Sequence, residues 1–173
     1  MLKTTVIAAA AALFAATAHA QPVTPVEAMA PLKPLLGQWK GEGWIVRPGV
    51  GREAFIGEET ITERLGGAAV LVEGKHRSKA DPAKVVHDAM AVIVWSPRDK
   101  AYRFRSQLAT GQYGDAPMTV EPGRFVWTLQ TPDGGRVEYV TIFDATSWRE
   151  TGRYTRDGVA WTPTFEMTLK KVD

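Results

Sequence analysis

Few residues in this chain are placed to do chemistry, and the most informative run lies between positions 147 and 155. There the sequence alternates: Trp148, Glu150, Gly152 and Tyr154 share one face of a strand, and Arg149, Thr151, Arg153 and Thr155 share the other. The second set reads as a solvent face, which turns Glu150 inward between Trp148 and Tyr154. A carboxylate withdrawn from water needs a partner or takes up a proton. Beside aromatics it can anchor a donor or a cation, or serve as an acid or base. Arg103 and Arg105, in Tyr102-Arg103-Phe104-Arg105, could supply the partner charge, but only by turning Tyr102 and Phe104 outward. The alternative keeps both arginines outside with their stems over the surface, and Glu150 hydrogen-bonded to Tyr or Ser within. Glu73 and Glu138 are further carboxylates that no spacing argument ranks. Trp44, Trp95, Trp127 and Tyr113 join Trp148 and Tyr154 as aromatics available to line or rim a pocket.

Other chemistries find less support. His76 and His87 could meet across a hairpin, but zinc wants three or four donors and no third is in sight, so they read as strand-end residues and no metal is expected. The absence of cysteine excludes a disulfide framework, a thiolate metal site, a cysteine nucleophile and a lipid-anchored cysteine. No Gly-x-Ser-x-Gly elbow occurs, and Gly49-Val50-Gly51 leads into a strand rather than into a helix that could hold a phosphate. The alternation of basic and aromatic residues at 102–105 is loosely that of nucleic-acid-binding sheets. The formal charge of +2 is small and spread along the chain, and no nucleic-acid partner is expected.

The elements that must position these residues are nearly all strands. At 173 residues, 45% hydrophobic and 23% charged, the chain is long enough for one well-filled domain and no more. Residues 1–20 stand apart: Lys3 precedes an apolar run from Val6 to Ala16, and Ala18-His19-Ala20 presents the small residues a signal peptidase reads. The run is too short to cross about 30 Å of hydrocarbon. A signal peptide cleaved after Ala20 is expected, which makes the protein periplasmic or secreted with no membrane span once the signal is removed. Over 21–37, Thr24-Pro25-Val26-Glu27 forms a capping box with Pro at the first helical position, and Pro31 and Pro34 limit the helix to residues 25–36.

From Gln38 onward turn signals recur every 8–14 residues, at 47–51, 65–67, 80–82, 96–99, 110–111, 121–123, 132–135, 144–146 and 157–158. These breaks predict ten strands over 38–173, and loops this short permit only antiparallel connections. An antiparallel meander of that length removes its edges by closing. The expected fold is therefore all-β, a single up-and-down barrel of about ten strands with a short N-terminal helix; a two-sheet sandwich is the alternative. Gly41, Gly43, Gly57, Gly74 and Gly152 fall inside predicted strands, where strong curvature requires them.

Leu35-Leu36-Gly37-Gln38-Trp39-Lys40-Gly41-Glu42-Gly43 resembles the start of calycin barrels, the superfamily of lipocalins, fatty-acid-binding proteins and nitrobindins. The resemblance implies that Gly37 and Trp39 close one end and that a basic residue of the last strand, Lys170 or Lys171 in Phe165–Lys171, packs over the indole. The Gly-Lys/Arg-Gly continuation is most similar to nitrobindin-like proteins. With Leu65-Gly66-Gly67 and Trp161 through Lys171, the whole mature chain resembles the secreted bacterial domain-of-unknown-function family 1579. Nitrobindin-like proteins hold haem through a histidine near the last strands; this chain has none after His87, offers Met167 and Glu166 there, and no cofactor is expected. Fatty-acid-binding proteins use interior arginines, which is the role Arg103 and Arg105 would take.

The function these readings favour is non-catalytic binding of a small apolar or amphipathic molecule in the lumen, by a monomer or weak homodimer. The site would draw on Trp44, Glu73, Arg103, Arg105, Tyr113, Trp148, Glu150 and Tyr154. An isomerase or hydrolase using Glu150 as acid or base is one alternative, and a periplasmic inhibitor acting through its loops is another.

Overall fold

The computed structural model describes residues 23–47 and 49–172; the expected leader over 1–20 lies outside them. Helix α1 (Pro25–Ala28) is one turn. Its capping box is complete: the Thr24 hydroxyl accepts from the Glu27 amide at 3.3 Å, and the Glu27 carboxylate accepts from the Thr24 amide at 2.9 Å. The chain then tightens into a 3-10 turn over Ala30–Leu35, because Pro31 and Pro34 lack the amide hydrogens an α-helix would use.

Ten strands follow: β1 (Gly37–Arg47), β2 (Gly51–Arg64), β3 (Ala69–Ser78), β4 (Val85–Ser96), β5 (Ala101–Leu108), β6 (Tyr113–Glu121), β7 (Arg124–Gln130), β8 (Arg136–Phe143), β9 (Ser147–Thr155) and β10 (Thr162–Val172). Each pairs antiparallel with its sequence neighbours, and β1 also pairs with β10, so the sheet is a closed barrel. The alternation read from the sequence sets the faces. On β2, Phe55, Gly57, Glu59 and Ile61 are buried while Ile56 and Glu58 are exposed. On β5, Phe104 is buried and Arg105 exposed.

One end of the barrel is plugged. Leu32 and Leu35 of the 3-10 turn are fully buried with Ala28 and Met29, and Tyr102 of β5 donates its hydroxyl hydrogen to the Ala28 carbonyl at 2.6 Å. Trp39 donates from its indole to the Leu35 carbonyl at 2.7 Å and meets Trp148 edge-on at 6.0 Å. Of the two lysines considered for the lid, Lys171 lies on the inward register of β10. Its ammonium sits 4.9 Å from the Trp39 ring centroid and donates to the Pro34 carbonyl at 2.9 Å, while Lys170 is exposed. At Gly37, φ is +130° and a Cβ would lie 3.2 Å from Lys171 Cε, so the close approach of the lysine requires glycine there.

Candidate functional site

Above the plug the barrel encloses a cavity of about 780 Å³. A belt of rings runs round its wall. Phe104 of β5 stacks on Trp127 of β7 at 4.3 Å, and Trp127 on Tyr139 of β8 at 4.2 Å. Tyr139 meets Phe165 of β10 at 5.8 Å; Phe165 lies 5.8 Å from Phe55 of β2, which stacks on His76 of β3 at 4.3 Å. His87 of β4 completes the belt, 5.1 Å from His76. Small residues on intervening strands let the rings meet: a Cβ on Gly152 would lie 2.7 Å from Tyr139 and 2.9 Å from Phe165.

Two carboxyls and two imidazoles line the same space: Glu59, Glu150, His76 and His87. Glu59 and His76 form a buried pair with 2.8 Å between Oε1 and Nε2. Their strands dictate it. Glu59 stands opposite Gly74 and His76 opposite Gly57, so each side chain leans over the glycine that faces it. A Cβ on Gly74 would come within 2.5 Å of the Glu59 carboxyl oxygens, and one on Gly57 within 3.3 Å of the His76 ring. Burial pushes the Glu59 carboxyl up to about 8 and both imidazoles down to about 4, the His87 ring helped by its neighbour His76. Glu150 accepts from the Thr141 hydroxyl at 3.0 Å and the Trp148 indole at 3.3 Å. Burial and then the nearby Glu59 raise it to about 7 against the pull of those two donors. No lysine or arginine lines the cavity among the described residues. At neutral pH the lumen is thus an aromatic chamber whose imidazoles are uncharged and whose Glu59 carboxyl is largely protonated.

The residues proposed from the sequence divide sharply. Trp148 and Glu150 line the cavity, and Tyr113, 83% exposed, stands at the mouth where the β5–β6 turn and the residues after β7 border it. Tyr154 shares the register of Glu150 but its hydroxyl donates to Asp133 at 2.6 Å, outside the lining. Trp44 is on the outer wall under the Arg52 guanidinium, 3.8 Å from its ring centroid. Glu73 is exposed outside. Arg103 and Arg105 are also outside, both paired to Asp115 at 2.8 and 3.4 Å, because Phe104 and Tyr102 take the inward positions. Glu138 likewise faces out to Arg153. Trp127 lines the cavity, whereas Trp95 packs against Tyr102 and does not reach it. The strand-end reading of the histidines is overturned: His76 is 2% exposed inside β3 and registers directly with His87.

Glu59 escaped the sequence reading, although a signal existed: in Phe55-Ile56-Gly57-Glu58-Glu59-Thr60-Ile61, the apolar flanks Phe55 and Ile61 share its register. On the last strand Met167 is packed into the lumen wall and Glu166 faces Arg149 outside. Among the described residues the histidines are on β3 and β4, and His76 is committed to Glu59.

Solved structures share this architecture. The Rv2717c protein of M. tuberculosis superimposes with a TM-score of 0.63 at 14% identity, over 84% of this chain and 98% of its own. The S-type phycobiliprotein lyase CPES of Guillardia theta does so with 0.56 at 11% identity, over 82% and 89%. The fold of this chain is a closed barrel of ten antiparallel strands. At these identities the likeness extends to the fold alone. No family model matches the chain, and no curated protein matches it in sequence.

Proposed function

We propose that this protein is an exported carrier, a member of the secreted bacterial domain-of-unknown-function family 1579, that holds one small, mostly apolar molecule in its lumen. The observation that carries the reading is the aromatic-belted cavity of about 780 Å³ with buried polar groups at its wall. Export rests on the leader at 1–20, and family membership on the Leu35–Gly43 and Trp161–Lys171 segments. Burying about 200 Å² of ligand apolar surface is worth about 5 kcal/mol at ~25 cal/mol per Å², the same order as the cost of association. The polar contact therefore decides which ligand stays. Glu150 accepts from a ligand donor or cation, and a cation would draw its carboxyl into the charged form.

Native mass spectrometry of protein purified from its own periplasm should show a retained mass that denaturation releases. In Glu150→Gln, affinity for a cationic ligand should fall about tenfold, as expected for losing a charged hydrogen bond, with the fold unchanged by circular dichroism. Unchanged affinity in a folded variant removes Glu150 from the site. The Glu150 carboxyl, held near neutrality inside an aromatic pocket, favours a second reading as an acid/base in a lumen enzyme. Recovery of a chemically altered form of the retained molecule after incubation would decide for it.

A further inference from the structure

We propose that the Glu59–His76 pair is a second polar contact of the lumen, selecting a ligand that presents a hydroxyl group on an apolar body. The proposal rests on the reading of the lumen as a binding site. Its first support is an orphaned atom: His76 is 2% exposed, its Nε2 is engaged by Glu59, and its Nδ1 is buried with no hydrogen-bond partner. A buried ring nitrogen left unpaired is costly, and His76 is part of the cavity wall, so a ligand group is the partner it lacks. Second, the pair is built into the strands. Gly57 and Gly74, each opposite one member, leave the space in which the two side chains meet, and Phe55 stacks on the imidazole and fixes its plane.

The chemistry of the pair specifies the ligand. With Glu59 protonated, the carboxyl donates to Nε2 and the neutral ring carries its hydrogen on Nδ1, a donor; once the pair has lost one proton, the ring hydrogen sits on Nε2 and donates to the Glu59 carboxylate, and Nδ1 is an acceptor. A hydroxyl answers either state. A carbonyl answers only the first. A carboxylate would face Glu59 and Glu150 with no lysine or arginine in the wall to balance it.

The test compares 1-octanol, octanoate and octane by isothermal titration calorimetry, with the His76 ring nitrogens followed by 15N NMR in the intact protein. Octanol should bind about tenfold more tightly than octane, the effect of one added hydrogen bond, and more tightly than octanoate. The Nδ1 resonance should move on saturation with octanol and stay in place with octane. His76→Phe keeps the stack on Phe55 and removes Nδ1; the ratio of octanol to octane affinity should fall to about one. Should that variant fail to fold, the Nδ1 shift in the native protein decides alone. Octanol binding without a change at Nδ1, or a folded His76→Phe that still prefers octanol, overturns the proposal and leaves the lumen as a binding site. Failure of all three molecules to bind overturns the lumen reading together with this one.

Discussion

Two carboxyls and two imidazoles share the lumen, and burial moves their proton affinities in opposite directions. Glu59 and Glu150 rise from 4.5 to about 8 and about 7, so the folded protein holds protons that the unfolded chain releases. That stability is present below pH 4.5 and is lost as pH rises through 7 and 8. His76 and His87 fall from 6.5 to about 4, so the unfolded chain takes up their protons first and their stability is lost as pH falls from 6.5 to 4. Between pH 4.5 and 6.5 the two effects oppose each other, two protons against two. Thermal melts should therefore show a plateau in Tm over that range, a decline from pH 6.5 to 8, and another below 4.5. In Glu59→Gln the alkaline decline should shrink, because only Glu150 remains to drive it; an unaltered decline would mean that Glu59 ionises normally in the fold. Gly74→Ala places a methyl against the Glu59 carboxyl and should cost about 1–3 kcal/mol in urea titration, the range for overpacking a filled site. At this scale the sequence was legible wherever apolar neighbours fixed the register. Trp148 and Tyr154 turned Glu150 inward, and Phe104 could have turned Arg103 and Arg105 outward. Glu58-Glu59 hid the second carboxyl, since two adjacent acids look alike until the barrel buries one of them.

The N-terminal segment acts as a stopper, and its contribution is separable residue by residue. Leu32, fully buried beneath the barrel floor, should cost about 2–5 kcal/mol as Leu32→Ala. Thr24→Ala removes the capping hydroxyl from an exposed helix start and should cost about 1 kcal/mol. Chemical denaturation of the two variants gives the comparison; equal losses would mean the segment docks through its cap rather than through its buried leucines. The elements themselves were readable because glycine and proline punctuate each hairpin: the ten strands, their antiparallel order and the short helix all follow from turn chemistry. The conversion of most of the helix to a 3-10 turn follows from Pro31 and Pro34. What turn chemistry leaves open is height along the axis. Turn chemistry puts His76 just after the third strand and His87 at the opening of the fourth, yet β3 continues to Ser78 and its hairpin partner holds His87 beside His76.

Closure between β1 and β10 leaves no strand unpaired, and with it goes the route by which sheets join edge to edge. Light scattering after size-exclusion chromatography should give the monomer mass at micromolar concentration; a stable dimer would have to be held by side chains on the outer wall. Because the meander alternates ends, β1 begins and β10 finishes beside the Trp39 plug, with Gln38 registered against Val172. The mouth bordered by Tyr113 opens at the far end of the molecule. Both ends of the folded chain thus leave from the base of a cup. A fusion partner, an affinity tag or a covalent attachment to a solid support placed at either one would hold the protein upright with its opening toward the bulk solution.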